Sequence, residues 1–333
     1  MRIGGLATGL VTIAIVAIPA RALETDQFYA WTRPLQDATD AINERINADV
    51  ATALARVNSH HDPASCPCRT AQEAIRDHFD YLIIAPPELW ATKTSSVGRI
   101  PATSDEEPRF RRSYLYGETS ALDRILWMPP SPTIELAGVR TGADKLGHFF
   151  SDGAWIEESY QHALKEGATD DEALRQAVRF SIATERTIWG RSTSGILSLG
   201  DLEANYQGLL FYRGLCTGPD PGLTRTPTGW RLTRSFDFRD YVTPEWDESW
   251  QPNIYTPSRW AKVRPVMARY CRLLQDPEIR RQRAAYAARD RETPTEGMVR
   301  EFVAAGKLAD PRQFTIEAAC GVPFTAAPRG SGR

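Results

Sequence analysis

Between Gly142 and Leu215 the chain carries two helical patterns that each bring their own start and stop signals, and no other stretch restricts the fold as tightly. The segment "DKLGHFFSDGAWIEESYQHALKEG", from Asp144, contains no proline and closes on Gly167, a residue that ends helices because it enters the left-handed region without a Cβ penalty. The next, "TDDEALRQAVRFSIATERTIWG", opens on Thr169 with Glu172 three positions later, the pairing of a capping box, and closes at Gly190. The loop "RSTSGILSLG" then leads into a third helix, "DLEANYQGLLFYRGL". Helices joined by such short connections pack as antiparallel neighbours. The expected fold class is therefore mostly α: a helical bundle with a central antiparallel three-helix unit and long irregular loops rich in proline and aromatic residues.

The flanking sequence divides around this unit. Residues 23–85 repeat apolar positions at Leu35, Ala38, Ile42, Ile46, Val50, Leu54 and Val57, the spacing of one helical face, and then predict a second helix over Thr70 to Leu82 with Thr70 as cap and Glu73 at the box position. Residues 86–141 are rich in Pro, Ser, Thr and Arg and read as an irregular covering segment, with a short strand near "RSYLYGE". Residues 216–333 hold the loop "YVTPEWDESWQPNIYTP", whose rings would pin it against the bundle, and helices over Arg259 to Leu274, Pro277 to Arg291 and Glu296 to Ala305. Charge on most faces makes "IRRQRAAYAARDRE" a solvated helix. Residues 23–333 are expected to form one globular unit.

The first 22 residues have the three parts of a secretory signal peptide: Arg2, an uncharged apolar run from Ile3 to Ile18, and Ala20-Arg21-Ala22 before the cleavage point. Export to the periplasm or medium is expected, and no later segment has the apolar length of a membrane span. That compartment permits disulfides among Cys66, Cys68, Cys216, Cys271 and Cys320. Cys271 and Cys320 are the preferred pair, Cys216 reaches Cys66 or Cys68, and an odd count leaves one over. Cys66-Pro67-Cys68 reads as structural, with His60 and His61 upstream as a metal-binding alternative. A formal charge of -2, from 40 basic and 42 acidic residues, gives no pull toward nucleic acid.

Residues four apart on a helix lie one above the other, so Asp144, His148 and Asp152 form a polar row beside Leu146, Phe149, Phe150 and Trp155, which call for a core. Buried charge needs partners. Candidates come from the second stretch: Glu185, then Arg191 and Ser198 in the turn, then Asp201, Asn205 and Gly208, the last admitting a close backbone. Simpler roles exist for each. Asp201 stands where a helix cap would, Glu185 and Arg191 would brace the turn as an ion pair, and Lys145 would point to solvent or pair with an acid.

The order Asp-Lys-x-x-His-Phe, a later Glu, then Arg, a small hydroxyl residue, Asp, three residues, Asn, two residues and Gly resembles the signature of the VanZ-like proteins and related bacterial envelope proteins. It falls on Asp144, Lys145, His148, Phe149, Glu185, Arg191, Ser198, Asp201, Asn205 and Gly208, between about residues 142 and 208. VanZ-like proteins are membrane-embedded, whereas these helices carry "HALKEGATDDEALRQ", which cannot lie in lipid. The resemblance implies a link to the cell envelope and, in some members, to glycopeptide resistance. It brings no reaction and no cofactor.

Two functions follow as expectations. The first is an exported envelope protein, a helical binding or structural module in which the constellation is a buried hydrogen-bond network. The alternative is an envelope-directed hydrolase or transferase, with His148 as general acid or base oriented by Asp144 or Asp201, and Arg191 and Asn205 holding an anionic or carbonyl oxygen. Its substrate would be an envelope lipid, glycan or precursor; Ser194 and Ser198 lie in no nucleophile-elbow pattern. The site residues are thus His148, Asp144, Glu185, Arg191, Asp201 and Asn205. No cofactor or metal is assigned, although His148, Glu185 and Asp201 would suit an ion.

Overall fold

In a computed structural model the described residues are 25–323, apart from 63, 81–83, 103–105, 107–109, 111–130 and 190–194. The signal peptide, the strand near "RSYLYGE", Gly190 and Arg191 lie outside them. The fold is mostly α, with small antiparallel sheets.

After a single turn, α1 (Gln27–Ala30), the amphipathic face read in the sequence forms α2 (Thr39–His60), burying Ile42, Ile46, Val50, Leu54 and Val57. It packs on α3 (Cys68–Phe79). This helix begins earlier than expected: Pro67, extended at φ -65° and ψ 150°, stands at the cap, so Thr70 lies inside the first turn and Glu73 pairs with Arg69. The covering segment is also more regular than its composition suggests. Pro86 and Pro87 open α4 (Pro86–Lys93), in positions where a missing N–H leaves no bond unmade. Farther on, β1 (Arg99–Ile100), β2 (Thr133–Leu136) and β3 (Val139–Gly142) form an antiparallel sheet in that order. Ala137 and Gly138, at φ 52° and 71°, make the tight β2–β3 turn, whose twist requires positive φ.

The central unit follows. Helix α5 covers residues 144–165 as Asp144–Gly147, a π-helical turn His148–Asp152, and Gly153–Lys165. Helix α6 (Asp170–Thr184) has the Thr169–Glu172 capping box and runs into a second π-helical turn, Glu185–Trp189. Strand β4 (Ile196–Leu197) precedes α7 (Leu199–Cys216). Contacts between α5 and α7 advance together, from Lys145–Asp201 through His148–Asn205 to Gly153–Gly208, so these two run in one direction. Helix α6 runs against both: Asp170 meets Tyr160 and Arg213, and Ser181 meets Asn205. Sequential neighbours are thus antiparallel. The crossing of α5 and α7 is close because a Cβ on Gly208 would lie 1.9 Å from the Phe149 carbonyl oxygen.

Leu146, Phe149 and Phe150 are fully buried, but Trp155 is 36% exposed. The wide turn before it advances the helix, and the face then buried is Ile156, Glu157, Tyr160 and Ala163. A hairpin of β5 (Leu223–Thr226) and β6 (Gly229–Leu232) leads to the aromatic loop, where Phe236, Phe238, Tyr241 and Trp246 ring Phe149. Strand β7 (Ile254–Tyr255) pairs with β4. Helices α8 (Pro257–Met267), α9 (Pro277–Arg289), α10 (Pro294–Ala304) and α11 (Ile316–Cys320) complete the chain. Helix α9 is not simply solvated: Ile279 and Tyr286 are buried, and the Tyr286 hydroxyl accepts from the Arg140 N–H and donates to Asp247. Disulfides join Cys68 to Cys216 and Cys271 to Cys320, leaving Cys66 as a buried thiol. Among the described residues no helix is long and apolar enough to cross a membrane.

Candidate functional site: a buried ionic centre between two helices

Lys145 is the middle of the site. Its side chain is fully buried, and its ammonium lies 2.9 Å from Asp144 Oδ2, 2.6 Å from Asp201 Oδ1 and 2.5 Å from Glu248 Oε1. Of the two roles open to it in the sequence, solvent or an acid partner, it takes the second. A lysine is almost never enclosed unless paired, and here three carboxyl groups from three elements close around it. Asp144 also accepts from the Thr25 hydroxyl at 2.8 Å, an approach open only because residue 142 is glycine: a Cβ there would fall 1.9 Å from Asp144 Oδ1. Glu248, from the aromatic loop, accepts from Ser198 Oγ at 3.2 Å and from Asn253 Nδ2 at 2.7 Å.

His148 borders this cluster. Its Nε2 is 3.3 Å from Asp201 Oδ2, and its Nδ1 is 2.9 Å from Asp152 Oδ2 and 3.0 Å from the Asn205 side chain. The Asn205 amide is best oriented with its nitrogen toward the carbonyl oxygens of His148 and Asp201, 3.2 Å from each. Asp201 is not the helix cap. Ser198 takes that role, its hydroxyl accepting from the Asp201 N–H at 3.1 Å, which leaves the Asp201 carboxyl to face Lys145 and His148.

The electrostatics follow from burial and that single ammonium. Burial pushes the Asp144 carboxyl up, but Lys145, His148 and the Thr25 hydroxyl together outweigh it and hold Asp144 below its ordinary range. Burial keeps Asp201 and Glu248 above theirs, even against the same lysine, because each also faces neighbouring carboxylates.

Of the residues singled out in the sequence, Asp144, His148, Asp201 and Asn205 converge. Glu185 is buried at the head of the second π-helical turn, one turn beyond the Ser181 that bonds Asn205. Arg191, and with it the expected brace to Glu185, lies outside the described residues. Thr25, Glu248 and Asn253 join the site without any signal in the sequence, since Glu248 is one of two acids between Trp246 and Trp250 and nothing local sets it apart. One oxygen each of Asp144 and Asp201 and a ring nitrogen of His148 lie within 4.8 Å of one another, close enough to share a cation. Comparison of the chain with family models, with curated proteins and with solved structures finds no match.

Proposed function

We propose that this chain is an exported envelope protein, a helical binding module whose ionic centre fixes how α5, α7 and the aromatic loop assemble. The observation that carries this reading is Lys145, whose ammonium is shared by carboxyls from α5, α7 and the loop with no exposure to water. A buried network satisfied across several elements favours one packing over others, because each alternative strands a charge. Export is supported by two disulfides, which persist in oxidising compartments. The kinship with VanZ-like proteins belongs to the same proposal and rests on the residue order alone. Urea denaturation of Asp201→Ala tests the structural role: a loss of about 1–3 kcal/mol is expected, because Lys145 and His148 lose a partner, and an unchanged midpoint would remove this reading.

A second reading, acid–base chemistry at His148 on an envelope lipid, glycan or precursor, is favoured by the two π-helical turns, which begin at His148 and Glu185. Such turns are rare and concentrate at functional sites. Incubation with envelope lipids and muropeptides tests it: turnover by the native protein that is absent from His148→Ala supports it, and no turnover of any member of the panel rejects it.

A further inference from the structure

Charge is spread unevenly along this chain. Between Arg259 and Arg291 nine arginines and one lysine stand against three acidic residues, within a protein whose formal charge is -2. The stretch comprises α8, a 3-10 helix (Ala268–Gln275) and α9. Four of its arginines are used inward or locally: Arg259 is buried, Arg283 meets Glu317, Arg289 donates to the carbonyls of Ala137 and Val242, and Arg291 donates to that of Asp290. The other six cations, Lys262, Arg264, Arg269, Arg272, Arg280 and Arg281, are exposed, and none has an ion-pair partner among the described residues. The acids of the same stretch are committed elsewhere: Asp276 caps α9, Glu278 meets Arg140 at 3.4 Å, and Asp290 is buried.

The six share a face. Val263 and Met267 of α8 and Ile279 of α9 enter one hydrophobic cluster, on which Tyr270, Leu273 and Leu274 of the 3-10 helix also pack. Three consecutive elements therefore lie on one core, and their exposed positions point away from it. Arg269 and Arg272, three apart on a 3-10 helix, stand one above the other. The Cys271–Cys320 disulfide fixes the middle of this layer to α11. A face of one sign repels itself where most surfaces interleave both signs, and it attracts an anionic partner. Apolar groups lie among the cations: Trp260, Leu273 and Leu274 are half-buried, and Val322, two residues after Cys320, is 46% exposed. A soluble polyanion uses charge alone, whereas a bilayer surface takes cations at its headgroups and apolar tips at the boundary beneath them.

We propose that the outer face of α8, the 3-10 helix and α9 docks this protein onto a bilayer surface bearing anionic phospholipid headgroups, with the six exposed cations meeting the phosphates. This face is distinct from the ionic centre, and the inference rests on the envelope-protein reading only for the presence of such a surface.

The test is flotation of the purified mature protein, disulfides intact, with vesicles of phosphatidylcholine containing phosphatidylglycerol and with vesicles of phosphatidylcholine alone. Binding to the anionic vesicles is expected, with release as salt rises from about 0.1 M to about 1 M and the screening length falls from about 10 Å to about 3 Å. A cation near an anionic surface is worth roughly a fivefold gain in binding, so Arg269→Gln with Arg272→Gln should bind at least about tenfold more weakly, and Arg280→Gln with Arg281→Gln likewise. The same charge removed from α2 and β6, at exposed Arg56 and Arg231, should cost clearly less. No flotation with the anionic vesicles, equal flotation with both compositions, undiminished binding by both paired variants, or an equal loss in Arg56→Gln with Arg231→Gln overturns the proposal. So does retention on dextran sulfate without flotation, which would make the partner a soluble polyanion. Should one paired variant melt early, the other decides. Urea denaturation of Asp201→Ala reports on the ionic centre, which none of these substitutions touches, so failure of the docking face and failure of the structural reading are told apart.

Discussion

Two groups of buried acids lie on different faces of α7, and they hold their charge in opposite ways. On one face Asp201 joins Asp144 and Glu248 around the Lys145 ammonium. On the other, Glu203 and Glu245 line a small cavity with Leu199, Gln251, Thr295, Glu296 and Val299, and neither glutamate has an ion-pair partner among the described residues. Burial lifts Glu203 to about 7, and burial together with nearby Glu203 and Asp290 lifts Glu245 to about 8. In the first group a cation sustains ionised acid in the interior; in the second the acids keep their protons. The same helix thus shows that depth does not set ionisation without regard to what stands opposite.

The largest effect should come from removing the cation. Lys145→Met keeps the length and the apolar stem but leaves three carboxyls facing one another, and a loss of about 3–5 kcal/mol is expected from urea denaturation at pH 7. An unchanged midpoint would show that the first group holds its protons as the second does, and the contrast would collapse.

A smaller effect concerns pH. In the unfolded chain Glu203 and Glu245 ionise near their ordinary 4.5, whereas in the folded protein they keep protons up to about 7 and about 8. Between these values the unfolded state binds fewer protons, so their contribution makes stability fall as pH rises from about 4.5 to about 8 and level off above. The double variant Glu203→Gln with Glu245→Gln should therefore flatten the melting-temperature decline between pH 5 and 8. Asp144 has the opposite sign: its contribution is present above its ordinary 3.8 and is lost as pH falls through its lower folded value. A double variant with the native pH slope would place the titration elsewhere, Asp247 at about 6 being the next candidate.

The smallest effect sharpens the same point. At pH 4.5 a carboxyl with a folded pKa of about 8 is neutral and the linked cost of its proton is still small, so there Glu245→Gln alone should shift stability by about 1 kcal/mol or less, against the several expected for Lys145→Met. A loss as large as that of the lysine variant, in parallel melts, would mean that Glu245 is ionised and paired.

Much of the central unit is legible in the amino-acid sequence. Thr169, Glu172 and Gly167 act within a turn of themselves, and capping and left-handed termination are decided by neighbours along the chain. The row Asp144, His148 and Asp152 follows from helical periodicity, and Gly208 announces a close crossing by lacking a side chain. The pairing of Cys271 with Cys320 is expected because both flank one carboxy-terminal helical region. Only the tertiary structure decides the interactions whose partners lie far along the chain. Glu248 is 103 residues from Lys145, and Thr25 is 119 residues from Asp144, with no local pattern to connect them. For Lys145 the sequence leaves solvent and an acid partner both open, and only the arrival of the aromatic loop over α7 encloses it among acids. The π-helical turns belong to the same class: local spacing predicts an unbroken α-helix, and the wider turn is held by packing against neighbouring elements. Sequence sets what depends on the chain's own geometry over a few residues, while burial, and with it the charge state of each acid, depends on which distant segments come to lie against it.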